Sequence, residues 1–225
     1  MKKKAGASAT RTAKRRKGAP GAGQALVRRT APVVQPPAAS GDAKAEIRRL
    51  KMQIAKASAR IEALQAAAET DFLLGIPNRR GFERELSRAI SYIQRYQASG
   101  ALIVLDVDRL KPINDNFGHA AGDEVLKAIV AMLSQQIRSS DVIGRLGGDE
   151  FALLLWNLSE TDAHAKAAAF EEDIDRLSFT FEGHTVATGV SAGVAILGSH
   201  SDGAKALADA DRAMYVRKAQ RRHEI

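Results

Sequence analysis

The 225-residue chain has no cysteine, one tryptophan and six prolines, and aromatic side chains make up only 5% of it. Without cysteine there is no disulfide scaffold, no thiol catalysis and no zinc or iron–sulfur site built on thiolates. No apolar run approaches the ~18 residues of a membrane span. Lys2, Lys3 and Lys4 are followed by Ala, Gly, Ser and Thr, not by an apolar stretch, so neither a transmembrane segment nor a secretory signal is expected, and a cytoplasmic location is. Acid is missing only locally: residues 1–40 hold ten Lys and Arg, four of the prolines, and no Asp or Glu. The net charge of +8 therefore resides in this arm, because residues 41–225 carry 24 basic side chains against 26 acidic ones. That remainder, which also lacks aromatic clusters for base stacking, does not have the composition of a nucleic-acid-binding domain.

Residues 1–41 read as a disordered basic arm, too poor in apolar surface to offset its ordering entropy. Such an arm suits a tether to nucleic acid or to an anionic membrane surface. From Asp42 strong helix formers take over. Ile47, Leu50, Ile54, Ala57, Ile61, Leu64 and Ala68 alternate at spacings of three and four, the a/d stripe of a coiled coil. Residues 42–69 are therefore expected to form a coiled-coil signalling helix, and residues 70–225 the folded domain.

Within the domain, Phe82, Leu86, Ile90 and Ile93 mark one face of a helix over 79–97, and the β-branched run Ala101–Val107 marks a strand buried on both faces. A second amphipathic helix is expected over 119–138. Strands over 141–146 and 151–156 flank Gly147-Gly148-Asp149-Glu150 as a hairpin. Ser159 and Asp162 look like the cap of a helix running to about Asp175. Strands around 178–181 and 185–196 and a helix over 202–222 complete the pattern. The expected fold class is α+β, one central mixed sheet flanked by helices.

Two acidic clusters stand at turns. Asp106 and Asp108 end the most apolar strand, two apart and hence on one face; carboxylates there are costly unless paired or metal-bound. Asp149 and Glu150 follow two glycines, which suit a tight turn with positive φ and close approach of a ligand. Taken singly, Asp106 and Asp108 fit a helix cap or a pair with Lys111 as well as they fit a metal, and the glycines fit an ordinary hairpin turn.

The ordered set of motifs carries more. Arg145-Leu146-Gly147-Gly148-Asp149-Glu150-Phe151 resembles the signature of the GGDEF domain of diguanylate cyclases. Asp106-Val107-Asp108-Arg109-Leu110-Lys111-Pro112-Ile113-Asn114-Asp115 and Phe117-Gly118-His119-Ala120-Ala121-Gly122-Asp123-Glu124 resemble the family's upstream motifs. So do the opening stretch Asp71–Arg80, Ser191-Ala192-Gly193-Val194, and Ala210–Tyr215. The resemblance spans about residues 70–222 and implies a palm-like, nucleotide-cyclase-like fold that joins two GTP into cyclic di-GMP with release of two pyrophosphates.

By the same resemblance, Asp106, Asp149, Glu150 and the carbonyl of Val107 would hold two Mg²⁺ (or Mn²⁺) ions. Asp149, Glu150, Gly147 and Gly148 would form the catalytic hairpin, with the role of Glu150 open between metal ligand and base. Asn114 and Asp123 would read guanine. Lys111, Leu110, His119, Lys218 and Arg222 would lie along the rest of the nucleotide. Arg138 and Asp141, with five residues between Asp141 and Gly147, match the family's site for inhibition by cyclic di-GMP. One GTP per protomer implies a homodimer. Departures include Leu74, Leu110 and Pro112, and Arg221 and His223 where the family usually has Gly and Asn; those at 110, 112, 221 and 223 fall beside the residues expected at the triphosphate. The alternative reading is a catalytically silent domain that senses GTP or cyclic di-GMP.

Overall fold

The structure, a computed structural model, describes residues 41–224. The basic arm expected over residues 1–41 lies, but for Gly41, outside the described residues. Helix α1 (Gly41–Ala68) carries Ile47, Leu50, Ile54, Ile61 and Leu64 exposed along its length. The element order continues α2 (Arg79–Tyr96), β1 (Gly100–Asp108), α3 (Leu110–Phe117), α4 (His119–Gln136), β2 (Val142–Arg145) and β3 (Glu150–Trp156). It closes with α5 (Glu160–Asp175), β4 (Ser178–Phe181), β5 (His184–Ala187), β6 (Gly189–Leu197) and α6 (Gly203–Glu224).

Four strands form the sheet in the order β2-β3-β1-β6, and β4 pairs β5 in a separate hairpin. Every strand pair is antiparallel, so the mixed sheet expected from sequence is corrected. The order explains it: β3 and β6 flank β1 and both run back against it. The parallel pairing among the described residues is the isolated bridge Asn78–Arg145.

Period-two alternation along β1 divides the core. Ile103, Leu105 and Val107 pack with α4 and α5 residues such as Val125, Leu126, Ile129, Leu133 and Phe170. Leu102 and Val104 pack on the other face with Phe82, Leu86 and Ile93 of α2 and Met214 of α6. Each such side chain contributes about 1.5–3 kcal/mol on full burial. Asp106 continues the second series, so its carboxylate lies on the α6 side of the sheet. Gly193 sets how close α6 comes: a Cβ there would stand 2.1 Å from the Ala210 carbonyl oxygen and 2.2 Å from the Met214 nitrogen.

Two further differences from the sequence expectation are local. The run 185–196 is broken into β5 and β6 at Thr188, whose hydroxyl donates to the Asp108 carbonyl at 3.0 Å. Helix α3, in a stretch to which the sequence patterns assign no element, starts after Arg109 in the left-handed region at φ 64°. Pro112, the third residue of α3, is tolerated because the first-turn N–H groups of a helix have no intrahelical partner.

Candidate active site

The acidic ends of β1 and β3 meet. Asp106 is register-opposed to Glu150, and Val107 N–H donates to the Asp149 carbonyl at 2.9 Å. Asp106 is 8% exposed and ion-pairs with Lys218 of α6. Its carboxyl is nevertheless pushed above its ordinary value, first by burial and then by Asp149 and Asp108, against the opposing hydrogen bond and charge of Lys218. Glu150 is raised as well, first by burial, with Asp106, Asp149 and Asp211 adding to it; Arg79, 3.5 Å away, opposes the rise. Negative charge is thus left over at this end of the sheet.

A hollow of about 430 Å³ opens beside it, lined by Val107, Asp108, Leu110, Lys111, Asp149, Lys218 and Arg221 among others. It gathers five of the residues singled out from sequence: Val107, Leu110, Lys111, Asp149 and Lys218. Asp108 does not face it freely: Ser191 Oγ donates to the carboxylate at 3.2 Å, and Arg221 Nε stands 3.4 Å from it. The Arg222 side chain lies outside the described residues.

The hairpin glycines differ from expectation. Neither Gly147 nor Gly148 has a φ in the left-handed region; among the described glycines only Gly75, Gly118 and Gly183 do. What the turn requires is space. A Cβ on Gly147 would stand 2.9 Å from Glu150 Oε2, whereas Gly148 opens onto free surface. The turn is braced from outside by Arg145, whose guanidinium donates to the Gly147 carbonyl at 3.0 Å, the Gly148 carbonyl at 2.7 Å and Asp71 Oδ2 at 3.0 Å. Asp71 Oδ1 in turn accepts from the N–H groups of Leu73 and Leu74, and Arg79 Nε donates to the Leu146 carbonyl at 2.8 Å. Sequence reasoning assigned no site role to Arg145, Asp71, Arg79 or Arg221. The only signals were their places inside the motifs and the departure at position 221.

Asn114 and Asp123 lie at the α3–α4 corner, apart from the hollow. Asn114 Oδ1 is buried and makes no hydrogen bond; Gly122 leaves it room, since a Cβ there would fall 2.0 Å from it. Buried polar atoms are nearly always satisfied, and this acceptor has room for a donor from outside the chain. Asp123 is half-buried and stands in the second turn of α4, beyond the reach of the helix-start charge effect. His119 opens α4 and is exposed.

Arg138 and Asp141 form a separate turn. Asp141 Oδ2 accepts from Arg138 N–H at 2.9 Å, Asp141 Oδ1 from Trp156 N–H at 3.1 Å, and the Arg138 side chain is exposed. A groove lined by Arg88, Tyr92, Ser140 and Trp156 runs beside it.

A divalent cation can be tested against these residues. Among the described residues no three His, Asp or Glu side chains converge as a ready-made ion cage. The donor chemistry nevertheless fits: hard carboxylate oxygens of Asp106, Asp149 and Glu150 stand together, the charge of Asp149 helps to raise the carboxyls of both Asp106 and Glu150, and added positive charge would relieve them.

Comparison with known proteins gives a consistent picture. The family described as "Diguanylate cyclase, GGDEF domain" matches residues 68–224. Diguanylate cyclase TpbB of Pseudomonas aeruginosa is 45% identical over 161 residues, 69% of this chain and 36% of TpbB. Probable diguanylate cyclase DgcE of Escherichia coli is 35% identical over 156 residues, 69% of this chain and 14% of DgcE. The chain thus spans about a third or less of the length of these relatives. Among solved structures, the TpbB GGDEF domain superposes with a TM-score of 0.62 at 42% identity, covering 67% of this chain and 89% of that one. The coiled coil and GGDEF domain of DgcB from Caulobacter crescentus, in complex with c-di-GMP, gives a TM-score of 0.69 at 23% identity, covering 79% of this chain and 94% of that one, a likeness of fold alone.

Proposed function

The chain belongs to the GGDEF-domain family of diguanylate cyclases, and on that premise we propose that residues 70–225 condense two GTP into cyclic di-GMP and two pyrophosphates. The observation that carries this reading is the meeting of mutually repelling carboxylates with a basic hollow at one end of the sheet. In each half-reaction the 3′-oxygen of one GTP bonds to the α-phosphorus of the other, the bond to pyrophosphate breaks, and the hydroxyl proton leaves. Glu150, its carboxyl raised by burial and neighbouring acids, is the side chain suited to receive that proton.

Asp106, Asp149, Glu150 and the Val107 carbonyl would hold Mg²⁺ or Mn²⁺, which when bound supplies charge neutralisation at the phosphates. Lys111 and Lys218 would bind triphosphate oxygens in the hollow, with Leu110 and His119 along the rest of the nucleotide and Arg222 as a further cation. Asn114 and Asp123 would select guanine: the free Asn114 Oδ1 and the Asp123 carboxylate are acceptors for its N–H groups, and adenine presents no matching donor pair. Gly148, open at the surface, would let the nucleotide lie on the hairpin.

The two half-sites would face each other in a homodimer. Exposure of Ile47, Leu50, Ile54, Ile61 and Leu64 on α1 supports a seam with a second copy over residues 42–69. Arg138 and Asp141 would bind cyclic di-GMP as inhibitor, and the arm over 1–41 would tether the enzyme to an anionic surface. The test is purified chain with GTP or ATP and Mg²⁺. Cyclic di-GMP from GTP and no cyclic product from ATP supports the reading. GTP bound but recovered unchanged assigns the domain to sensing.

A further inference from the structure

Three basic residues of α6 face inward, and each meets acid. Arg217 donates to Glu171 of α5 from Nε at 2.9 Å, Lys218 pairs with Asp106, and Arg221 reaches three carboxylates. Arg221 Nη2 stands 2.6 Å from Asp175 Oδ1, Nη1 3.5 Å from Glu171 Oε2 and Nε 3.4 Å from Asp108 Oδ2. Its side chain is 10% exposed. Burial works against its charge, but Asp175, Glu171 and Asp108 more than offset that and raise its pKa. The backbone accommodates the arrangement: a Cβ on Gly189 would fall 2.5 Å from Asp175 Oδ1 and 2.8 Å from Arg221 Nη2.

Arg221 lines the hollow that also holds Lys218 and Asp149, so a direct phosphate contact is the first role to weigh. Its surroundings oppose it. All three guanidinium nitrogens face carboxylates, and Nε, which makes no hydrogen bond, is fully buried. What the residue does is tie the end of α6 to β1 and α5. Helix ends fray unless tertiary contacts hold them, and Lys218 lies within two turns of the end of α6. Where the resemblance expects glycine, a residue that commonly terminates helices, Arg221 lets the helix continue.

We infer that Arg221 is a positioning residue, fastening the last turns of α6 so that Lys218 is held at Asp106 over the nucleotide hollow. This rests on the proposed role of Lys218 at the triphosphate. A double-mutant cycle over Lys218→Ala, Arg221→Ala and both together, in the full chain with GTP and Mg²⁺, tests it. Arg221→Ala raises KM about tenfold, the loss of a ~1.4 kcal/mol interaction, with kcat within about threefold, and adds nothing to Lys218→Ala. Arg221→Lys, unable to span three carboxylates, behaves like Arg221→Ala.

Multiplying effects in the double variant would overturn the inference in favour of direct phosphate contact. So would full rescue by Arg221→Lys, or a lower melting temperature with KM unchanged. If Arg221→Ala does not fold, Asp175→Asn, which weakens the shortest bridge, serves in its place: KM rises about threefold, a rise absent in the Lys218→Ala background, and a rise that persists there contradicts the inference. Wild-type chain that neither binds nor converts GTP refutes the nucleotide reading itself, an outcome read in the wild-type arm alone.

Discussion

Arg145 offers the sharpest perturbation of the proposed catalytic hairpin. Its guanidinium holds the carbonyls of Gly147 and Gly148 and the carboxylate of Asp71, and the ion pair is largely buried, with side chains 17% and 13% exposed. Arg145→Met keeps the apolar stem and removes all three donors. Hydrogen bonds from a charged group are worth about 1.5–3 kcal/mol each when desolvated, but water can reach the exposed Gly148 carbonyl and recover part of the loss. A net cost of about 2–4 kcal/mol follows, and at about 2–4 °C per kcal/mol for a domain of this size the melting temperature falls by roughly 5–15 °C. Asp71→Asn, which keeps the acceptor for Leu73 and Leu74 but loses the charge, should cost about 1 kcal/mol. Turnover is the decisive readout. With the turn unbraced, Asp149 and Glu150 lose their alignment, and a displacement of about 1 Å is worth about 10²-fold in rate. Calorimetry locates a temperature at which Arg145→Met is fully folded, and kcat is measured there. A loss smaller than about threefold would refute the idea that Arg145 aligns the hairpin.

Other expectations come from the same geometry. Gly122→Ala drives a methyl into Asn114 Oδ1, so KM for GTP should rise about tenfold and discrimination against ATP should fall in competition assays. Gly193→Ala collides with backbone of α6 on two sides and should cost about 3 kcal/mol or more in denaturant titration. The raised carboxyls of Asp106 and Glu150 set two opposite pH dependences. Folded-state pKa values above the unfolded ones add stability that is present below the ordinary 3.8 and 4.5 and fades as pH rises through the raised values. The roles proposed for both side chains need the ionised forms, so activity should fail on acidification at a pH above that ordinary range. Glu150→Gln should accordingly melt higher than wild type at neutral pH, lose that advantage on acidification through the ordinary carboxyl range, and make no product.

Most of the fold could be read locally. The period-two and 3.6-residue patterns place β1, β3, α2, α4 and α5 within a residue or two, and Ser159 caps α5 as its spacing suggests, accepting from Asp162 N–H. Helix α3 escaped because eight residues containing Pro112 and three Asp or Asn side chains carry little helix propensity. The break at Thr188 depends on a bond to Asp108, eighty residues away, and has no local signature. The site divides in the same way. Motifs named Asp106, Asp149, Glu150, Asn114 and Lys218. The bonds that hold them in place, Asp71 to Arg145 across 74 residues and Arg221 to Asp175 across 46, join segments that no window of sequence sees together. Gly122 and Gly147 likewise owe their identity to the Asn114 and Glu150 side chains beside them, and not to a special backbone angle.

The account stands or falls on whether the carboxylate end of this sheet joins two guanine nucleotides. Purified chain incubated with GTP and Mg²⁺, followed by chromatography and a pyrophosphate assay, should yield cyclic di-GMP with two pyrophosphates for each, and Asp149→Ala should yield neither while still melting cooperatively. Wild-type protein, verified as a dimer, that leaves GTP intact would contradict it, as would equal product from Asp149→Ala.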